Sequence, residues 1–243
     1  MRLALISDIH GNDVAFEAVV ADLDRLEPDV VVSLGDVAQG GAEPAQTLER
    51  LRALGARTVM GNSDAFLLAV PVDSPEPLTE RQLEVREWTL GQLDDGHVSY
   101  LRSFEPTVEL TLGPHRVLCF HGSPESYDDI LLPEWEKAQL TPWESRDADL
   151  LAGGHTHTQW TRRIGDALFV NPGSVGLAYD RHVPDADLRL APAAEYALVF
   201  VDELGLSVEL RRVPYSLARL REAVSGSGRP YADEFAAEWG ELP

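Results

Sequence analysis

The feature that most constrains this chain is a series of short apolar runs, each followed by a polar residue that can bind a metal. The first run, residues 3–6, leads to Asp8 and His10, and the second, residues 30–34, leads to Asp36. Runs of this length that are rich in β-branched and other apolar residues are typical of buried strands. The arrangement recurs in the runs 58–60, 117–120, 150–152 and 168–170, which are followed by Asn62, by His121, by His155 and His157, and by Asn171.

Helical patterns separate the early runs. Apolar residues between positions 14 and 23 recur at helix spacing, and residues 45–54 follow Pro44, which suits the first turn of a helix. This alternation of strands and helices predicts a parallel sheet that is buried on both faces. Because the carboxyl ends of parallel strands form the ligand crevice of such a sheet, the polar residues are expected to converge at one edge.

The second half of the chain is expected to be mainly antiparallel. Residues 108–120 and 197–212 each contain two apolar runs around a short turn sequence, which predicts a hairpin. Helices are expected over residues 77–93 and near residues 98–104, where apolar residues again recur at helix spacing. These helices would cover one face of a sheet.

The C-terminal residues 215–243 predict two short helices, separated by the flexible sequence Ser-Gly-Ser-Gly at 225–228. Only about 15 residues follow that sequence, too few for a separate domain. We therefore predict one domain over residues 1–243, with 215–243 as its helical C-terminal tail. Phe235 and Trp239 suit either a cap on a monomer or a contact in a dimer, so the sequence leaves the oligomeric state open.

Seven nitrogen or oxygen donors in one crevice predict a metal site. A single Asp or His after a strand is more often a helix cap or a structural residue, so the prediction depends on their joint placement. Two carboxylates, four imidazoles and an amide exceed the ligands of a usual zinc site, which favours two ions. Imidazoles and oxygen ligands without a thiolate favour divalent transition metals, manganese first, with iron, nickel or zinc as alternatives. The predicted metal ligands are Asp8, His10, Asp36, Asn62, His121, His155 and His157.

The motifs that carry these donors resemble one known family. They are DIHGN at 8–12, GD at 35–36, GNSD at 61–64, HG at 121–122, GHTH at 154–157 and NPGS at 171–174. In this order they are similar to the calcineurin-like metallophosphoesterase superfamily, and within it to small prokaryotic phosphodiesterases that have the GHTH and NPGS motifs. The resemblance covers roughly residues 1–213. It implies an α/β fold, a four-layer α/β/β/α sandwich of two mixed β-sheets flanked by helices.

The resemblance also implies how the site works. A hydroxide activated by the two ions would attack phosphorus in line with the leaving oxygen. By the same motifs, Asn62 and Asp64 are assigned catalytic roles, and Asn62 is expected to contact the substrate. Arg181, in the loop after NPGS, is a further candidate for contacting the substrate, with a surface salt bridge as the alternative role of that arginine. One ion would be held by Asp8, His10, Asp36 and His157, and the other by Asp36, Asn62, His121 and His155.

Two departures from the family pattern bear on the substrate. Ser63 stands where many phosphomonoesterases of the superfamily have a histidine that protonates the leaving group, although Asp64, the acid that usually orients it, is present. Loss of a general acid costs about 10² to 10⁴ in rate, which favours diesters or good leaving groups. Residues 37–41 also lack the arginine with which the family's protein phosphatases and symmetrical dinucleoside tetraphosphatases grip phosphate.

The sequence therefore predicts a metal-dependent phosphoric ester hydrolase, with a phosphodiesterase favoured. A phosphomonoesterase or nucleotide phosphatase on the same site remains an alternative. So does a non-catalytic interaction scaffold of the same fold, as the family's retromer subunit shows. The presence of all seven ligands argues against the scaffold, which could lose metal-binding histidines without penalty.

Charge and composition limit the expected partners. The chain has 41 acidic and 20 basic residues, and its formal net charge of −21 repels the backbone of long nucleic acids. A small phosphate ester remains a compatible substrate, because divalent ions reverse the local field at a site. The sequence contains no run of 18 apolar residues, so no membrane span is predicted. The single cysteine, Cys119, is expected to be buried in a strand. These features predict a cytoplasmic protein.

Overall fold

Two five-stranded sheets form the centre of the computed structural model, which describes residues 1–69, 78–135, 140, 143, 147–180 and 187–240. The strands are β1 (Arg2–Ile6), β2 (Val30–Ser33), β3 (Arg57–Thr58), β4 (Val108–Leu112), β5 (His115–Cys119), β6 (Leu150–Ala152), β7 (Trp160–Ile164), β8 (Ala167–Asn171), β9 (Ala193–Asp202) and β10 (Gly205–Pro214). The strand order is β10-β9-β1-β2-β3 in sheet one and β4-β5-β6-β8-β7 in sheet two.

Both sheets are mixed. In sheet one, β1, β2 and β3 are parallel, and β9 and β10 are added in antiparallel pairings. In sheet two, β5, β6 and β8 are parallel, while β4 and β7 are antiparallel edge strands. The predicted βαβαβ opening and both predicted hairpins are present. The second half is less antiparallel than expected, because β6 pairs in parallel with β5, and β8 pairs in parallel with β6.

Helices are positioned by polar side chains at their first turns. The Asn12 side chain accepts a hydrogen bond from the Ala15 amide at 3.0 Å, and Thr79 and Asp94 cap in the same way the helices that begin at Glu80 and Asp95. Part of the expected helix 77–93 is observed, and Pro77 lies outside the described residues. The helices are α1 (Asp13–Leu26), α2 (Pro44–Leu54), α3 (Asn62–Leu68), α4 (Glu80–Gly91), α5 (Asp95–Leu101), α6 (Leu217–Gly226) and α7 (Ala232–Ala237).

Apolar side chains hold the layers together. Residues such as Leu5 of sheet one and Val117 of sheet two meet in the space between the sheets. Phe16 of α1 lies in a second cluster, which covers the other face of sheet one. On the outer face of sheet two, Trp143 packs in a cluster with Phe169. The predicted four-layer sandwich of two mixed sheets flanked by helices is confirmed.

The tail that contains α6 and α7 packs against the rest of the chain. Its side chains Leu220 and Trp239 form a cluster with Ala42 and Leu190. The indole nitrogen of Trp239 also donates a hydrogen bond to the Tyr215 hydroxyl at 2.8 Å. None of the helices in the described part of the chain is both long enough and apolar enough to cross a membrane. The single-domain organisation over residues 1–243 stays a prediction.

A buried ionic cluster joins α1 to sheet one. The Asp22 carboxylate accepts hydrogen bonds from the Tyr196 hydroxyl at 2.5 Å and from Arg211 Nε at 2.9 Å. The third donor, Arg25, is largely exposed and adds little. Burial alone would raise the pKa of the Asp22 carboxyl, but the hydrogen bonds from Tyr196, Arg25 and Arg211 lower that pKa below its usual value.

We expect Asp22→Asn to lower the free energy of unfolding by about 1.5 to 3 kcal/mol at pH 7, since it weakens charged hydrogen bonds to a buried group. Because the folded-state pKa is lowered, the contribution of Asp22 is present above the unfolded pKa of about 3.9 and is lost as the pH falls through the folded pKa. The difference in free energy of unfolding between the wild type and Asp22→Asn should therefore become smaller at acid pH. Urea unfolding at neutral and acid pH measures it, with the exposed Asp24→Asn as the control. An equal difference at both pH values would contradict this account.

Candidate metal centre

Loops from both sheets bring the predicted ligands to one place. Backbone hydrogen bonds join the loops that follow β1 and β2, from the Asp8 amide to Gly35 O at 3.0 Å and from the His10 amide to Asp36 O at 2.9 Å. In sheet two, the Gly154 amide donates to His121 O at 2.8 Å. The ligand candidates occupy the carboxyl ends of five strands: Asp8 and His10 after β1, Asp36 after β2, Asn62 after β3, His121 after β5, and His155 and His157 after β6.

Five of these seven residues have a left-handed backbone. Their φ angles lie between 48° and 68°, a region that costs residues with a Cβ of the order of 1 to 3 kcal/mol. Such conformations persist only where the surrounding structure imposes them, and they are concentrated at functional sites. The five residues are Asp8, His10, Asp36, His155 and His157.

One group of donors surrounds Asp8. The Nε2 atoms of His10 and His157 are 3.1 Å apart, and His157 Nε2 is 3.3 Å from Asp8 Oδ1. Asp8 Oδ1 is buried and accepts no hydrogen bond from the described residues. Two donors that each lie about 2.1 Å from one ion, at an angle between a right angle and the tetrahedral angle, would be about 3.0 to 3.4 Å apart. These side chains therefore fit a cation.

Asp36 lies between this group and a second one. Its Oδ2 atom is 3.5 Å from His10 Nε2 and also 3.5 Å from His121 Nε2. His121 Nε2 is in turn 3.0 Å from Asn62 Oδ1. The ring of His155 packs edge-on against the His121 ring, with 5.1 Å between the ring centroids. One carboxylate oxygen thus faces donors on both sides, which is the arrangement a ligand shared by two ions requires.

Backbone carbonyls orient two of the imidazoles. His10 Nδ1 is 2.8 Å from Gln39 O, and His121 Nδ1 is 2.7 Å from Leu34 O. A carbonyl oxygen can only accept, so Nδ1 carries the hydrogen in both rings. Nε2 of each ring then points into the centre, an orientation in which it could bind a metal.

The electrostatics of the centre favour positive charge. Burial alone would raise the pKa of the Asp36 carboxyl, but the charge and hydrogen bond of His121 hold that pKa well below its usual range. Burial alone would lower the pKa of His121, yet the charge and hydrogen bond of Asp36 raise it to about 10. Asp36 thus retains a proton on the His121 imidazole, and a divalent cation would replace that proton on binding.

Asp64 and Ser63 contact Asp36 in different ways. The fully buried Asp64 carboxylate accepts hydrogen bonds from the amides of Asp36 at 2.7 Å and Val37 at 2.9 Å. Burial, and then the charge of Asp36, raise the pKa of Asp64 to about 7. The Ser63 hydroxyl donates to Asp36 Oδ2 at 2.7 Å, and the Ser63 amide donates to Oδ1 at 2.8 Å. Both residues position Asp36, the carboxylate between the two groups.

Gly61 is required by the same close packing. A Cβ atom at this position would lie 2.1 Å from Asp36 Oδ1 and 2.4 Å from the Asp36 amide nitrogen. No side chain can be accommodated at that distance. The glycine of the GNSD motif therefore lets the loop after β3 approach Asp36 directly.

Three further residues bear on the centre, of which Asn171 and Arg181 were noted in the sequence and Tyr179 was not. Asn171 acts as a loop anchor, since its side-chain amide donates to Gly154 O at 2.8 Å and its oxygen accepts from the Gly173 amide at 2.9 Å. Arg181 lies outside the described residues. Tyr179, which the sequence reasoning did not consider, is half-buried with its ring centroid 6.2 Å from that of His157. Its place eight residues after the NPGS asparagine is the only sequence signal for it.

The comparisons with known proteins agree with this geometry. A model of the calcineurin-like phosphoesterase superfamily domain matches residues 1–188. An uncharacterised protein of Methanocaldococcus jannaschii is 25% identical over 239 residues, which cover 91% of each chain. Probable metallophosphoesterase YsnB of Bacillus subtilis is 25% identical over 114 residues, which cover 47% of this chain and 64% of that protein.

Solved structures have the same fold. A metallophosphoesterase from Sphaerobacter thermophilus is 26% identical, with a TM-score of 0.74 and 98% of each chain covered. A hypothetical protein from Pyrococcus horikoshii has a TM-score of 0.79 with 99% of each chain covered, at 17% identity. The second similarity bears on the fold alone.

Metal binding should stabilise the chelator-treated protein. Mn²⁺ at about 100 times its Kd adds about 2.7 kcal/mol for one site, or roughly 5 to 11 °C in Tm for a chain of this size. We expect Asp36→Asn to abolish the shift, and the exposed Asp166→Asn to retain it. Differential scanning calorimetry with and without Mn²⁺ measures the shift. A shift of the same size in Asp36→Asn would exclude Asp36 as a ligand.

Ser63→Ala should weaken Mn²⁺ binding by about 10-fold, because it removes a hydrogen bond that orients a ligand oxygen. Isothermal titration calorimetry of the metal-free protein measures the affinity. Ser207→Ala, at an exposed serine of β10, is the matched control and should leave the affinity unchanged. Unchanged Mn²⁺ affinity in Ser63→Ala would show that the Ser63 hydroxyl does not help to orient the Asp36 carboxylate for metal binding.

Proposed function

This chain belongs to the calcineurin-like phosphoesterase superfamily, as its motifs predicted, and from that premise we propose that it is a phosphodiesterase that uses two metal ions and acts on a small phosphate ester. The observation that carries the proposal is the position of Asp36 Oδ2, 3.5 Å from both His10 Nε2 and His121 Nε2. A phosphoesterase hydrolase with divalent metals is what the family itself supports.

The proposed ligands form two sets that share Asp36. The contacts of His157 with Asp8 and His10 support the first set, and the contact of His121 with Asn62 supports the second. When bound, two divalent ions would lower the pKa of a water molecule to near neutrality and neutralise charge on the phosphoryl oxygens. The first set is Asp8, His10, Asp36 and His157, and the second is Asp36, Asn62, His121 and His155.

The residues around Asp36 support diesters over alkyl monoesters. Ser63 occupies the position of the family's usual acid, and its hydroxyl is already engaged with Asp36 Oδ2. Asp64 is fully buried and accepts hydrogen bonds from backbone amides, so we propose that it acts by positioning Asp36 and the loop after β3. Without a strong proton donor at residue 63, a substrate whose leaving group departs without protonation is favoured.

Asn62 and Arg181 remain the proposed substrate contacts. Asn62 is the first residue of α3, and its side-chain oxygen lies 3.0 Å from His121 Nε2, so we propose that the amide nitrogen of the same side chain contacts the substrate. A phosphoryl oxygen placed between the ions could accept a hydrogen bond from that nitrogen. Arg181 would add a cation from the loop after NPGS.

Metal identity, location and partners are proposed from the chemistry of the chain. Imidazole and oxygen ligands without a thiolate favour manganese, with iron, nickel or zinc as alternatives. The net charge of −21 argues for a small ester and against long nucleic acids. The single cysteine, Cys119, is buried, which is consistent with the proposed cytoplasmic location.

With Mn²⁺ added, we expect the protein to hydrolyse bis-p-nitrophenyl phosphate at least about 10-fold faster than the alkyl monoester glycerol phosphate, because an alkoxide leaving group needs a proton donor and p-nitrophenolate does not. Release of p-nitrophenolate measures the first rate, and release of inorganic phosphate measures the second. EDTA and Asp36→Asn should each abolish turnover, and Asp166→Asn should have no effect. Preference for the monoester would favour a phosphomonoesterase, and no turnover with any divalent metal would favour the interaction scaffold.

A further inference from the structure

A buried arginine in the C-terminal tail contacts a loop of the metal centre. Arg229 lies between α6 and α7, and only 7% of its surface is exposed. Its Nε donates to Gly40 O at 2.7 Å, across 189 residues of sequence. Its Nη1 donates to Pro230 O at 2.7 Å and to Tyr231 O at 3.2 Å. The tail is thereby tied to the loop between β2 and α2.

Arg229 is held firmly although no carboxylate pairs with it among the described residues. Its guanidinium carbon lies 4.2 Å from the centroid of the Phe235 ring, a cation–π contact. Tyr231 has a left-handed φ of 59° and Gly228 has a φ of 72°, so the backbone on both sides turns around this side chain. Burial lowers the pKa of Arg229 to about 10. The guanidinium is thus held by three carbonyl oxygens and one aromatic ring.

The Gly40 carbonyl is adjacent to the group that orients His10. Gln39 O, one residue earlier, accepts the hydrogen bond from His10 Nδ1 at 2.8 Å. Gly40 itself lies against the imidazole, since a Cβ there would be 3.5 Å from His10 Nδ1. A shift of the Gly40 peptide would move Gln39 O and release the ring.

Few other polar contacts hold this loop. In the described part of the chain, the backbone groups of residues 38–42 make two hydrogen bonds to side chains, one with His10 and one with Arg229. The flanking residues are fixed, because the Gly11 amide donates to Val37 O and the Glu43 amide donates to Gly11 O. Ala42 packs into the apolar cluster of the tail. Besides the buried Ala38, the loop between its fixed ends is therefore held in part by the tail, through Arg229 and through packing on Ala42.

We propose that Arg229 is a positioning residue for the metal centre, which fixes His10 through the Gly40 and Gln39 carbonyls. The inference rests on the proposed function, since it takes His10 as a metal ligand. Arg229 lies outside residues 1–188, the part of the chain that the family model matches. The proposed metal centre is thus contacted by a segment that lies outside the matched residues.

The test is Mn²⁺ affinity of the full-length, chelator-treated protein, measured by titration calorimetry at a temperature where circular dichroism shows every variant folded. Arg229→Met, which removes the donors but keeps an apolar chain over Phe235, should weaken Mn²⁺ binding by about 10- to 100-fold at one of two sites. Arg221→Met is the matched control. That arginine is in the same tail and donates to Gly240 O, away from the centre, so its loss should leave both affinities unchanged.

Arg229→Lys keeps a charged donor of similar reach, and its affinity should lie between those of the wild type and Arg229→Met. If Arg229→Met does not fold, a weaker affinity in Arg229→Lys than in Arg221→Met decides in favour of the proposal. Wild-type affinity in Arg229→Met, or in Arg229→Lys when Arg229→Met does not fold, would overturn this inference and leave the proposed function intact. If the wild type itself binds no Mn²⁺, the proposed function fails, and this inference fails with it.

Discussion

The burial of two carboxylates side by side is the constraint on which the rest of this site depends. Asp8 and Asp36 are at most 2% exposed, and each lies against imidazole nitrogens from other loops. Isolated buried charges are costly, so the carboxylates need positive charge, either imidazole protons or divalent cations. Because the compensating groups come from both sheets, the site also fixes how the loops of the two sheets meet.

Much of this arrangement could be predicted from sequence, because strand ends are marked by local patterns. An apolar run followed by Asp8, Asp36 or His121 locates both a strand and its carboxyl end, and parallel strands place those ends together. The parallel direction of β6 and β8 was harder to predict from the sequence. A strand of three residues, Leu150–Ala152, has too few positions to show whether one face or both are buried.

The contacts that adjust the ligands could not be predicted. Ser63 was interpreted as the absence of an acid, whereas the structure shows its hydroxyl on Asp36 Oδ2. That contact depends on α3 beginning at Asn62, and helix boundaries are poorly determined by sequence. The carbonyls of Leu34 and Gln39 leave no side-chain signal at all. Arg229 is separated from Gly40 by 189 residues, and no local pattern connects positions so far apart.

The position of β1 between β2 and β9 has a consequence for biosynthesis. This central strand leaves the ribosome long before β9 (Ala193–Asp202), its partner on one side, which is translated about 190 residues later. At 5 to 20 residues per second, this edge of β1 waits roughly 10 to 40 s for its partner. During that interval one edge of β1 is unpaired in the nascent chain, and four residues of this strand that are buried in the folded protein are exposed. Such an edge is a template for unwanted pairing with other chains. The chain is thus most prone to aggregation before the hairpin of β9 and β10 is made. Chaperones that shield nascent strands would act on it early.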